Sequence, residues 1–225
     1  MARQSYALTT PPAPRVGACY EHALQSFAAH LAPLLGIGLV VAGVVALASH
    51  LTHTHSGLAL VGLGLGAFVA TPLKWGFYTL CLDAARGGRV DAANLIRVQD
   101  NYREIVIAGV ICTLLVVGGL LLLVLPGIFV YTRLQFVPYL VVEEKLDAVD
   151  AIRESFRLTR GLEGTILGIV VAGLLASGLG LATLGLGLVP ALIWWDLAMA
   201  SLYHAEILPS SEPPELGVFA EPFPT

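Results

Sequence analysis

The sequence predicts an all-α integral membrane protein, with six transmembrane helices and amphipathic cytoplasmic helices between them. Three observations predict it. Of 225 residues, 56% are hydrophobic and 12% charged, with a mean hydropathy of +0.80, whereas roughly a quarter of a soluble domain is charged. The apolar residues fall in long charge-free runs, and the basic residues fall in alternate connections between those runs.

In chain order, residues 1–15 carry Arg3, Arg15 and the stretch Pro11-Pro12-Ala13-Pro14. They lack a short apolar core with a small-residue cleavage site, so they read as a cytoplasmic tail and not a signal peptide. Residues 16–208 follow as a single membrane domain. Leu31 to Ser49, Ser56 to Leu73, Ile105 to Thr132 and Thr165 to Trp195 hold no Asp, Glu, Lys or Arg, and ~20 such residues cross a ~30 Å hydrocarbon layer. The last two runs, 28 and 31 residues long, exceed one span, and each holds a break, Pro126-Gly127 in one and Gly185 to Pro190 in the other. Both are expected to fold back as hairpins. The six expected spans cover about 31–49, 56–80, 105–125, 127–142, 165–184 and 188–207. Residues 209–225, with five prolines and three glutamates, read as a disordered cytoplasmic tail.

Ten of the twelve Lys and Arg residues lie in the N-terminal segment, after span two (Arg86, Arg89, Arg97, Arg103) and after span four (Lys145, Arg153, Arg157, Arg160). Positive charge stays cytoplasmic. Both termini and both long loops are therefore assigned to that side. The opposite face holds only His50 to Ser56 and two turns. The odd cysteine count, Cys19, Cys81 and Cys112, gives no disulfide framework.

Asp91 to Arg97 and Asp150 to Phe156 each begin a polar stretch leading into similar apolar texture, Ile-Val-Ile-Ala-Gly109 and Ile-Val-Val-Ala-Gly173. Glu21 to Phe27 before Gly36 to Gly43 is a weaker third copy. One reading is three repeats of a surface helix plus a two-span hairpin; the other is the shared Leu, Val, Gly and Ala vocabulary of membrane helices. In the third surface helix Leu146, Val149, Ile152 and Phe156 recur at three- and four-residue spacing, and Gly161 suits its C-terminal cap.

The segment from Pro126-Gly127 through Arg133 to Glu143-Glu144, followed by Ala151-Ile-Arg-Glu-Ser155 and Thr159-Arg-Gly161, carries a family resemblance. It resembles the signature of poorly characterised bacterial membrane families, the domain-of-unknown-function 975 group and the membrane domain attached to some glycerophosphodiester phosphodiesterases. Pro126, Gly127, Arg133, Glu143 or Glu144, Ala151, Ser155, Thr159 and Gly161 match that pattern over about 36 residues. The resemblance implies a multi-pass protein of a bacterial cytoplasmic (inner) membrane. No phosphodiesterase domain is present, so no hydrolytic activity follows from it.

The candidate site residues are Lys74, Arg133 and Asp196, because each falls inside an expected span, where a charge costs ~2.5 to 3.5 kcal/mol on insertion scales. Lys74 and Arg133 stand seventeen residues before Asp91 and Asp150, with Phe77 and Phe136 also in register. If the repeats share a centre, the three charges form one buried cluster, serving either as an internal ion-pair network or as an anion site. Snorkelling of the two cations towards the interface is the structural alternative. His50, His53 and His55 lack further ligands on their face and read as a polar turn, so no metal is expected. Gly62-Leu-Gly-Leu-Gly66 lies inside an apolar run and reads as helix packing, not a nucleotide loop.

With no H-E-x-x-H or G-x-S-x-G pattern, the chain is not expected to be an enzyme or to need a cofactor. Two functions remain: a scaffold or assembly partner meeting a cytoplasmic protein, and a small transporter or lipid-handling protein that uses the embedded charges. The first predicts tight packing without a sizeable cavity; the second predicts a polar cavity reaching mid-membrane. Membrane lipids are partners in either case. A net charge of −4 offers no basic patch for nucleic acid.

Overall fold

The structure, a computed structural model, describes residues 12–54, 56–183, 185 and 187–211. Most of the expected N-terminal tail, His55 and the part of the expected C-terminal tail from 212 onward lie outside the described residues.

Among the described residues the chain is entirely helical, with α1 (Val16–Ala29), α2 (Leu31–Thr54), α3 (Ser56–Leu65), a π-helical stretch Gly66–Ala70 and α4 (Thr71–Ala85). A 3₁₀ turn (Ala92–Ile96) and the single-turn α5 (Arg97–Asp100) lead to α6 (Tyr102–Leu122), α7 (Val124–Arg133) and α8 (Val137–Val142). Then come α9 (Ala148–Leu158), α10 (Glu163–Ala182) and α11 (Leu188–Ser211). Three antiparallel pairs form the bundle: α2 lies along α3, α6 along α7, and α10 along α11, while α1 and α4 pack on α11.

Among the described residues four stretches are long and apolar enough to cross a bilayer: Leu31–His53, Leu58–Ala85, Tyr102–Leu122 and Glu163–Ala182. The remaining two expected spans differ for identifiable reasons. The one at 127–142 is split into α7 and α8 by the turn Leu134–Phe136. The one at 188–207 lies in the 24-residue α11, where Trp194, Trp195, Asp196, Tyr203, His204 and Glu206 dilute the apolar residues.

Both hairpin turns exist, but one is displaced. The break between α6 and α7 falls at Leu123, which is extended at φ −166°, ψ 144°, and not at Pro126-Gly127. Proline is tolerated in a first helical turn, where its missing N–H has no intrahelical partner to lose, so Pro126 sits within α7. Gly127 is needed for a different reason. A Cβ there would fall 2.7 Å from the Leu120 backbone nitrogen, so the two helices cross in van der Waals contact. Between α10 and α11 the chain turns through Gly185 at φ +79°, a left-handed conformation that glycine adopts without strain, and Gly180 touches the Gly187 carbonyl.

The two charged loops meet at one end of the bundle. Lys145 pairs with Asp100 at 2.9 Å, Arg86 pairs with Glu143, and Asn101 donates to the Val141 carbonyl at 3.1 Å. The Glu104 carboxylate accepts the backbone N–H of Ala148 at 3.1 Å, which places an acid at the N-terminus of α9 where the helix dipole favours one.

Candidate functional site

Proline 138 explains the break in the fourth span. Pro138 has no N–H to return to the carbonyl of Leu134, and that oxygen instead accepts from Val137 at 3.2 Å. The Arg133 carbonyl thereby loses its helical partner, and the Ser155 hydroxyl of α9 donates to it at 2.6 Å. Ser155 is fully buried, and Ala151, one turn earlier and equally buried, has no bulk to hold α9 away.

The Arg133 side chain closes the other end of the same helix. Its guanidinium donates to the Phe156 carbonyl at 3.1 Å and to Glu163 at 2.5 Å, with Thr159 Oγ1 at 3.5 Å and the Phe129 ring centroid at 4.9 Å. Thr159 donates to the Ser155 carbonyl at 2.7 Å, and Gly161 at φ +84° ends α9. Arg133, Ser155, Thr159 and Gly161 therefore form one joint between α7, α9 and α10. Glu144 is exposed beyond it.

Lys74 and Asp196 do meet, without Arg133. They open into a chamber of about 170 Å³ walled by α2 (Gly38, Val41, Ala42, Val45), α4 (Lys74, Phe77, Tyr78), the broken α7–α8 (Tyr131, Gln135, Tyr139) and α11 (Ile193, Trp195, Asp196, Met199). Trp195 packs on Gly173, half-way along α10: a Cβ there would lie 2.6 Å from the indole. Asp196 is thus at mid-bundle depth. Thr71 and Trp75 flank Gly109 in the first half of α6 and set the depth of Lys74.

Lys74 Nζ lies 5.5 Å from the centroid of the Tyr78 ring. Lys74 and Asp196 interact electrostatically, but no ion pair within 4.0 Å joins Asp196 to any described residue. Lys74 also borders two further cavities, of about 460 Å³ against α2, α3 and α6 and about 350 Å³ against α6 and α7. This is why a lysine so deep in the bundle is exposed.

Two helix irregularities flank the chamber. One is the π stretch ahead of Lys74, where Thr71 Oγ1 donates to the Gly66 carbonyl at 2.9 Å; the other is the Leu134–Phe136 break. Irregular backbone at membrane depth occurs where it is buried in protein or lines a cavity, and often where ligands bind.

Reading embedded charges alone missed the polar wall. Tyr131, Gln135 and Tyr139 recur at four-residue spacing, as do Lys74 and Tyr78, and that stripe in an apolar run was the available signal. A stack continues from the chamber, Tyr78 to Tyr139 at 6.0 Å and Tyr139 to Tyr203 at 4.6 Å. It ends at the charged end of the bundle, beside the Arg86–Glu143 pair. There Tyr203 OH, His204 Nδ1 and Glu143 Oε2 are buried without a hydrogen-bond partner, an arrangement that calls for bound water or a polar ligand.

The model of the domain of unknown function DUF7847 matches residues 96–208, half of the chain. The chain belongs to the DUF7847 family. It is also similar to a UPF0259 membrane protein of Pectobacterium carotovorum subsp. carotovorum (strain PC1), 28% identical over 185 residues. That match covers 80% of this chain but 65% of the relative, so the chain spans less than two thirds of that protein. No solved structure matches. The relative and the apolar helices place the chain in a membrane, in an uncharacterised bacterial family. The DUF7847 segment supplies Arg133, the Tyr131–Tyr139 stripe and Asp196, while Lys74 and the α2 wall come from residues before it.

Proposed function

We propose that the protein is a non-catalytic, multi-pass membrane protein that binds a small amphiphile in the Lys74–Asp196 chamber, either to move it or to hold it. One observation carries this reading. Two opposite charges from α4 and α11 face a common mid-bundle space without closing an ion pair. An ionisable side chain inside a membrane-spanning segment is costly, and such groups mark substrate or ion sites. The flanking π stretch and helix break point the same way.

In this reading the chain crosses a bacterial inner membrane six times, with both termini and both charged loops cytoplasmic. The order of a short helix before each hairpin supports a threefold repeat. Kinship with the 975 group and the phosphodiesterase-linked membrane domains belongs to the same reading, supported by the Arg133, Ser155, Thr159 and Gly161 joint. The scaffold alternative needs no chamber.

The test fills the chamber. Ala42→Phe places a ring in the space next to Lys74 and Asp196. Mass spectrometry of organic extracts should find an amphiphile retained by the wild type and absent from the variant, with both equally folded. Equal retention would reject the reading and return the search to a protein partner at the charged end.

A further inference from the structure

The amphiphile's chemistry can be narrowed from the charges and grooves around Lys74, an argument that rests on the binding reading above. We propose that the chamber takes the headgroup of a zwitterionic membrane phospholipid, phosphate at Lys74 and ammonium at Asp196, with one acyl chain in the groove beside α3 and α6.

Charge complementarity selects the headgroup. A simple anion at Lys74 would sit beside the Asp196 carboxylate, and a simple cation at Asp196 would sit beside the Lys74 ammonium. Either would set two like charges side by side at bundle depth. A molecule carrying both signs a few bonds apart satisfies both groups at once. The rest of the polar wall suits it, since the Tyr78, Tyr131 and Tyr139 hydroxyls and the Gln135 amide can donate to phosphate oxygens or accept from an ammonium. The rings of Phe77 and Trp195 also line the chamber, and an aromatic ring is a favourable neighbour for a cation.

The grooves select a lipid over a water-soluble zwitterion. From Lys74 the larger groove, about 460 Å³, runs between Val45 and Ala48 of α2, Leu63 of α3 and Val110 and Leu114 of α6. Leu63, Val110 and Leu114 are exposed on the bundle's apolar flank. A chain lying there would have its polar end at Lys74. A small polar solute would have no use for that surface.

The experiment uses the full-length protein, purified in detergent and exchanged into mixed phosphatidylethanolamine and phosphatidylglycerol at equal mole fraction, then re-purified and its retained lipid counted by native mass spectrometry. The wild type is expected to retain phosphatidylethanolamine over phosphatidylglycerol on the order of tenfold, the ratio set by one charge-assisted contact. Asp196→Asn should abolish that preference, and Asp196→Glu should keep it. Lys74→Gln should reduce retention of both lipids. Equal retention or a phosphatidylglycerol preference in the wild type, or an unchanged ratio in Asp196→Asn, would overturn the headgroup assignment. Because Ala42→Phe tests occupancy regardless of lipid type, a lipid retained there as in the wild type would instead defeat the chamber reading itself. If Asp196→Asn does not fold, the ratios in wild type and Asp196→Glu still decide the assignment.

Discussion

The Ser155 hydroxyl donates to the main-chain oxygen of Arg133 at 2.6 Å, across 22 residues of sequence. One serine on a surface helix therefore completes the hydrogen bonding that Pro138 interrupts inside the bundle.

Removing that donor strands a buried carbonyl. Ser155→Ala should lower unfolding stability by about 1–3 kcal/mol, read from thermal or denaturant unfolding in detergent. Ser49→Ala, at an exposed position of α2, should change it by less than about 0.5 kcal/mol. Equal effects would mean the hydroxyl is dispensable to the break.

The α6–α7 crossing is equally specific. At Gly127 a Cβ would meet the Leu120 backbone at 2.7 Å, whereas at Gly118 it would meet nothing within 4 Å. Gly127→Ala should cost about 1–3 kcal/mol through overpacking. Gly118→Ala should be neutral or stabilise by up to about 1 kcal/mol, because alanine favours a helix over glycine. Melting temperatures of the two variants should therefore move apart; a shared direction would contradict the crossing geometry.

Acid should favour the fold through Glu143. Burial pushes its carboxyl above the ordinary value of 4.5; Arg86 pulls the other way, and Glu144 and Asp83 add to the rise. A carboxyl raised by folding binds its proton more tightly in the folded chain than in the unfolded one. Its contribution is therefore present at low pH and lost as pH rises through the window above 4.5. Melting temperature followed over the mildly acidic range should show a smaller rise on acidification in Glu143→Gln than in wild type. Parallel profiles would remove Glu143 as the source.

The orientation is open to direct labelling. Cysteine placed at Gly88, in the charged connection, and at Ser56, in the opposite turn, should react with impermeant reagents from opposite sides in a background lacking Cys19, Cys81 and Cys112. Labelling of both from the same side would overturn the placing of these two connections on opposite faces.

Much of the fold was readable because hydrocarbon imposes long charge-free runs: α2, α6 and α10 lie where those runs stand. Lys74 and Asp196, chosen only for the cost of burying them, share a chamber. Arg133 did not join them, although it stands in register with Lys74. Spans two and four match in register, yet the position of Pro138 corresponds to Thr79, whose backbone N–H leaves α4 unbroken. The break turns the Arg133 carbonyl outward to Ser155 while its side chain reaches α9 and α10. Nor could local pattern reveal that α1 would press on α11, where Tyr20 meets Trp194 at 4.9 Å and His22 meets Ser201 at 3.0 Å, because those partners are more than 170 residues apart.

The π stretch Gly66–Ala70 amounts to one surplus residue in an otherwise regular rod. Deleting any one of these five would return the stretch to α-helical geometry, because the wider turn absorbs the surplus residue within itself. The segment carrying Gly62, which grips Thr52 and Ala48 of α2, would therefore keep its face relative to Lys74. A single-codon loss there would leave the grip on α2 aligned with the cation below it, whereas the same loss elsewhere between Gly62 and Lys74 would turn the two apart by about 100°.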